Sequence, residues 1–145
     1  MIHLQQLRYI TPDTVEAFAR LIPQLTATGT LPTAETLQHI VDTKDCFLFV
    51  ADEDGKTVGC ATLVIVRIPS GTKAWIEDVV VDGSYRDRHI GEELIAFVLR
   101  FATARNIRQI DLTSAPSRVA ANRLYQKMGF RQRETNVYRW KFSQL

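Results

Sequence analysis

The spacing of hydrophobic and polar positions changes several times along the chain, and each change marks a predicted element. Residues 2–9 make a short apolar-polar stretch. Thr11-Pro12-Asp13 follows, with Thr11 suited to cap a helix and Pro12 to its first turn, and Val15, Phe18, Ala19 and Ile22 then fall on one helical face. This helix is predicted to stop or kink at Pro23. An open Thr-Gly-Thr-Leu-Pro connection at 28–32 leads to a second helix capped at Thr33. Residues 47–51 begin a strand, Asp52-Glu53-Asp54-Gly55 supplies a turn, and 57–68 is a long β-branched strand. Pro69-Ser70-Gly71 then closes a second hairpin into a strand at 74–82.

In that last strand the two-residue period sets Trp75, Glu77, Val79 and Val81 on one face and Ile76, Asp78 and Val80 on the other. Two acids inside an apolar strand therefore point to opposite faces, unless a bulge intervenes. Residues 91–105 return to helical spacing through Leu94, Ile95, Val98, Leu99 and Ala102. A strand is predicted at 107–113 and a helix at 117–128, ended by Gly129. From Phe130 the pattern reads as strand again, with Val137, Arg139 and Lys141 alternating against Tyr138, Trp140 and Phe142. The order β, α, α, β, β, β, α, β, α, β, β contains no repeat and predicts an α+β fold.

Composition narrows the function classes. A chain of 145 residues that is 46% hydrophobic reads as one domain, 1–145, able to bury a core unaided. Its 18 cations against 16 anions leave a net charge of +2, poor support for a nucleic-acid binder. Thirteen of the cations are Arg, which favours planar recognition of phosphate or carboxylate by a few side chains. Cys46 and Cys60 suggest neither a disulfide framework nor a metal site, and His3, His39 and His89 are widely scattered. No leader-like segment and no apolar run of membrane-spanning length is present, so the expectation is a cytoplasmic protein without membrane association.

The stretch from Ile76 to Gly91, Ile-Glu-Asp-Val-Val-Val-Asp-Gly-Ser-Tyr-Arg-Asp-Arg-His-Ile-Gly, runs from a buried strand through a polar loop into a helix start. Backbone N–H groups at such a start lack intrahelical partners and can cradle a diphosphate. Arg86 and Arg88 add charge beside it. A loop with two arginines before a helix is also what a solvated turn looks like, and the physics of the loop alone leaves both readings open. This stretch resembles the pyrophosphate loop of the GNAT superfamily of acyl-CoA-dependent N-acetyltransferases, Arg/Gln-x-x-Gly-x-Gly/Ala, through Arg86, Ile90 and Gly91. His89 stands where that pattern has its first glycine, a residue that tolerates positive φ. A second stretch, Asn122-Arg-Leu-Tyr125-Gln-Lys-Met-Gly129-Phe130, is similar to the other family signature.

The resemblance implies a GNAT fold, a mixed and mostly antiparallel sheet flanked by about four helices, with no metal. It implies transfer of an acetyl group from acetyl-CoA, as cosubstrate, to a primary amine by direct attack in a ternary complex. Carried over residue by residue, the cofactor contacts are Val79, Val80, Val81, Arg86, Asp87, Arg88, His89, Ile90, Gly91, Asn122 and Tyr125. The Val79 N–H would support the acetyl oxygen, and Tyr125 would protonate the leaving thiolate. Glu77 would act as base or amine anchor, and Asp78, which completes a Glu-Asp pair resembling that of amino-sugar phosphate acetyltransferases, would contact the substrate. The acceptor, a small-molecule amine, would enter past 29–32. His89 reads as an exposed loop side chain near phosphate, and Glu92 and Glu93 as first-turn acids that complement the helix dipole. The stripe of Tyr138, Trp140 and Phe142 reads as core or subunit interface and admits a homodimer. A noncatalytic acyl-CoA-binding module is the alternative from another class.

Overall fold

The computed structural model describes residues 1–27 and 29–143, so Thr28 of the predicted connection lies outside the described residues. The chain divides into two compact units, Met1–Thr113 and Ser114–Leu145. The first holds a five-stranded sheet in the order β1-β2-β3-β4-β5. Its elements are β1 (Ile2–Gln6), α1 (Pro12–Leu25), α2 (Ala34–Asp42), β2 (Cys46–Glu53), β3 (Lys56–Ile68), β4 (Gly71–Val81), a short 3-10 turn (Gly83–Tyr85), α3 (Ile90–Ala104) and β5 (Ile110–Asp111). β1 to β4 pair antiparallel, and β5 joins β4 in parallel.

Local chemistry sets the boundaries. Thr11 and Thr14 form a reciprocal capping box at the start of α1, and the Thr33 hydroxyl accepts from the Thr36 N–H at 3.1 Å to start α2. α1 passes through Pro23 and ends two residues later, where losing one helical hydrogen bond costs little of the last turn. The β2–β3 turn is shorter than the four residues predicted. Asp52 and Glu53 belong to the strand, and only Asp54 and Gly55, both at positive φ, make a two-residue hairpin turn.

β2 is buried on both faces. Leu48 and Val50 pack with Cys60, Val80, Phe18 and Leu21 of α1 and Leu37 of α2. Phe47 and Phe49 meet Phe97 and Phe101 of α3 edge to face on the other side. That double burial is why its sequence is a nearly continuous apolar run. No helix among the described residues is long and apolar enough to cross a membrane.

Two strand expectations are corrected. The predicted strand 107–113 contracts to two residues, because the ladder joins only Ala74 with Ile110 and Trp75 with Asp111 before it stops. The alternating stretch after Phe130 forms no strand. The second unit, taken by itself, contains α4 (Val119–Met128), ended by Gly129 at φ 106°, and residues 130–143 carry neither helix nor strand. Alternation provides two faces, but a strand exists only where another backbone supplies the ladder.

Candidate active site

β4 holds the geometry that matters most. Thr62 pairs with Glu77 and Cys60 with Val80, so two steps along β3 are matched by three along β4. The extra residue is a bulge at Asp78, whose φ of 50° is left-handed. The buried Cys60 thiol donates to the Asp78 carbonyl at 3.6 Å, and burial, then the Asp78 carboxylate, pushes that thiol up to about 12. The bulge corrects the strict alternation: Glu77 and Val80 lie on the same face, that of Cys60 and Thr62, rather than on opposite faces.

Glu77 and Asp78 are both exposed, Val80 is buried, and Val79 and Val81 are half-buried. Partial desolvation, followed by the adjacent Asp78 charge, raises the Glu77 carboxyl above its ordinary range. A carboxylate so placed holds a proton more readily than a solvated one, which suits a base for an amine.

From Val81 the chain enters the polar loop. Asp82 is buried; its carboxylate accepts from the Ser84 N–H at 3.0 Å and from Arg20 of α1 at 2.7 Å. The Ser84 bond, with Arg20 behind it, outweighs burial and holds the Asp82 carboxyl below the usual carboxylate range. Arg86, Asp87, Arg88 and His89 are exposed. His89 is the N-cap of α3 at φ 60°, ψ 18°, and makes no side-chain cap hydrogen bond. Its imidazole Nδ1 lies 3.4 Å from the Glu92 carboxylate. The histidine thus adopts the left-handed conformation that a glycine would supply, and the loop reaches the helix N-terminus as the sequence pattern requires. A 15-residue helix begins at Ile90 and Gly91, and its first-turn amides and dipole suit an anion.

The second unit carries the other signature. Both Asn122 amide hydrogens serve backbone carbonyls, Ala115 at 2.9 Å and Arg118 at 2.8 Å, which fixes the start of α4. Tyr125, 6% exposed, meets the Phe130 ring edge to face at 5.7 Å. Burial raises its phenol, against the charge and hydrogen bond of Arg118.

The model of the acetyltransferase (GNAT) family matches residues 14–130. The chain belongs to this family. The glucosamine 6-phosphate N-acetyltransferase of Trypanosoma brucei brucei is 29% identical over 140 residues, covering 91% of this chain and 92% of that protein. An aminoglycoside N(6')-acetyltransferase type 1 of Salmonella typhimurium is 26% identical over 95 residues. That match covers 62% of this chain and 66% of the relative, just under two thirds of its length. Among solved structures, AAC(6')-Iy in complex with the bisubstrate analog CoA-S-monomethyl-acetylneamine superposes with a TM-score of 0.78 at 23% identity, covering 98% and 99% of the two chains.

Within this GNAT chain, the first unit brings Glu77, Asp78, Val79, Val80 and Val81 to one end of β4, directly before Arg86 to Gly91 in the loop. Arg88 turns out to be engaged: its guanidinium makes a bidentate pair with Glu53 of β2. Sequence spacing does not show that Glu53, Asp82, Arg20 and Cys60 contact this strand and loop. Glu53 and Asp82 look like ordinary turn and strand-end acids, and no local spacing distinguishes them.

Proposed function

We propose that the protein transfers the acetyl group of acetyl-CoA to the primary amine of a small polar molecule, and that the two units act as one catalytic domain. The observation that carries this reading is the bulged β4 leading, through a loop with His89 in the left-handed conformation, into the uncapped start of α3. The span of the family match, which crosses from the first unit into the second, supports treating them together. Arg86, Ile90 and Gly91 would hold the diphosphate, with Asp87 and His89 shaping the loop, while Val79, Val80 and Val81 would flank the pantetheine and thioester. Asn122 would help to hold the pantetheine arm.

In this reading Glu77 accepts a proton from the ammonium form of the acceptor, directly or through water. The neutral nitrogen forms a bond to the thioester carbon, the Val79 N–H supports the developing oxyanion, and the C–S bond breaks. Tyr125 gives its proton to the thiolate, the second nitrogen proton leaves to solvent, and proton exchange with solvent returns Glu77 to its carboxylate and Tyr125 to its phenol. Products are the N-acetylated amine and CoA thiol. Asp78 would contact the acceptor from the same end of β4. The relatives named as acting on aminoglycosides or on glucosamine 6-phosphate support an amino-sugar acceptor.

Thiol release from acetyl-CoA, measured against a panel of amino sugars, amino acids and polyamines, tests the proposal. Turnover with at least one amino sugar is expected. Tight acetyl-CoA binding without turnover on any amine would favour a noncatalytic module. The pH profile adds a check on Glu77. A base works only when deprotonated, so kcat/KM should fall as pH drops through a pKa above the usual glutamate range. Glu77→Gln should lose about tenfold at neutral pH and lose that acid limb; an unchanged limb assigns the titration elsewhere.

The reading extends to a homodimer in the cytoplasm. Val137, Tyr138, Trp140 and Phe142 are 70–88% exposed on a stretch with no ladder of its own, and a second copy of that stretch would supply one. Cys46 and Cys60 are free thiols, as suits a reducing compartment. Sedimentation equilibrium should show a dimer that Tyr138→Ser with Trp140→Ser converts to monomer; a wild-type monomer at micromolar concentration would refute it.

A further inference from the structure

Glu53, at 8% exposure, and Asp82, at 5%, are the buried charged side chains of the described residues. A buried charge is retained only where partners compensate its lost hydration. Each acid has one partner in the loop that follows β4, Ser84 N–H for Asp82 and Arg88 for Glu53, and one outside it, Arg20 of α1 for Asp82 and the N-terminal ammonium, 3.7 Å away, for Glu53. Asp82 opens the loop. Its N–H donates to Val58 O at 2.8 Å, and its carboxylate holds Arg20, whose other nitrogen donates to Thr57 O at 3.0 Å. Gln24 of α1 accepts from the next amide, Gly83, at 2.8 Å. Glu53 grips the far side, with one Arg88 nitrogen at 2.7 Å and the other against its second oxygen. The same guanidinium lies 5.4 Å from the centre of the Tyr85 ring.

The grip falls where the backbone needs it. Asp87 at φ 63° and His89 at φ 60° flank Arg88, so two non-glycine residues in the left-handed region bracket the one that is pinned. All three are exposed and little packing holds them. Left-handed backbone is disfavoured for residues with a Cβ and persists when surrounding structure enforces it. We infer that Glu53 is a positioning residue for acetyl-CoA: through Arg88 it holds the turn at 87–89, with its left-handed Asp87 and His89, in the shape that a glycine at 89 would adopt without help, and Asp82 fixes the loop's other end.

The inference rests on the loop being the diphosphate site. It assigns Arg88 a different task from Arg86: Arg88 spends its charge on Glu53 and preorganises the loop, leaving Arg86 beside the diphosphate. A preorganised loop binds without the cost of ordering on contact. The two roles for Arg88 give opposite signs. If Arg88 holds the loop, losing Glu53 weakens the cofactor. If Arg88 binds the diphosphate directly, losing Glu53 releases it and tightens the cofactor.

The test uses the full chain and begins with wild-type acetyl-CoA binding by calorimetry, whose failure would remove the diphosphate reading itself. In Glu53→Gln, KM for acetyl-CoA should rise about tenfold. With S-acetylpantetheine, which lacks the diphosphate, kcat/KM should change by less than about twofold. A general loss of structure would depress both donors alike. Adding His89→Gly should recover most of the loss, because glycine occupies the left-handed region without the tether. Should Glu53→Gln fail to fold, Arg88→Lys, which keeps the charge but not the bidentate geometry, replaces it with a smaller rise, and recovery by His89→Gly then decides, because glycine restores the turn but cannot replace a lost diphosphate contact. An unchanged or tighter acetyl-CoA KM, an equal loss with both donors, or no recovery with His89→Gly would overturn the inference.

Discussion

Replacing Tyr125 by phenylalanine is expected to lower kcat by about 10²-fold while acetyl-CoA affinity stays unchanged. The substitution removes one hydroxyl and keeps the ring that packs on Phe130, so the fold of α4 should persist. Burial is the largest influence on the phenol and raises it from its ordinary value of 10.0, so Tyr125 holds its proton throughout the neutral range, as a general acid must. In the proposed reaction the departing thiolate takes that proton as the C–S bond breaks. Without it the thiolate must leave as an anion or take a proton from water. An acyl donor with a more acidic thiol should therefore shrink the defect, since its leaving group needs less help. Rapid-quench kinetics can establish that chemistry limits turnover. A full wild-type rate under that condition would make Tyr125 structural and move the acid elsewhere.

Phe49→Ala should destabilise the protein by about 3–5 kcal/mol. Phe49 is 0% exposed at the centre of β2, and its ring meets Phe97 at 5.8 Å and Phe101 at 4.9 Å. The rings approach edge to face, which adds to the area they bury. Alanine would leave a cavity between the sheet and α3, and α3 can only partly collapse because Leu94, Ile95, Val98 and Ala102 already pack there. The loss is a large share of the roughly 5–15 kcal/mol that holds a domain of this size together. The thermal midpoint should fall by about 10–16 °C, and the urea midpoint should fall with little change in slope. A loss under about 1 kcal/mol would show that the α3 face repacks around the smaller side chain.

The candidate site was legible in part. The loop could be read because its requirements are local: a strand end at Val81, a glycine-like position at His89 and a helix start at Ile90, all within ten residues. His89 was a departure from the pattern in sequence, and the structure resolves it with a left-handed backbone. The Glu77-Asp78 pair was visible too, but its geometry was not. A bulge depends on how β3 pairs with β4, and only that register shows that Glu77 shares a face with Val80. The Arg88–Glu53 pair is not legible in the sequence, because its two halves stand 35 residues apart.

The sequence by itself determined where the helices start at Thr11 and Thr33, where α4 ends at Gly129, and that a turn within 52–55 reverses the chain. Each of these is decided by caps and φ preferences acting within three or four residues. It also shows that the chain carries the two family signatures. Tertiary structure decided what depends on a distant partner: the two-residue length of β5, the bulge at Asp78, the lack of a strand after Phe130, and the burial of Glu53 and Asp82. Arg20 reaches Asp82 across 62 residues of chain, and no local preference records such a meeting. A ladder, a bulge or a buried ion pair has one half in each of two segments, and its energy is realised only when folding brings both halves together.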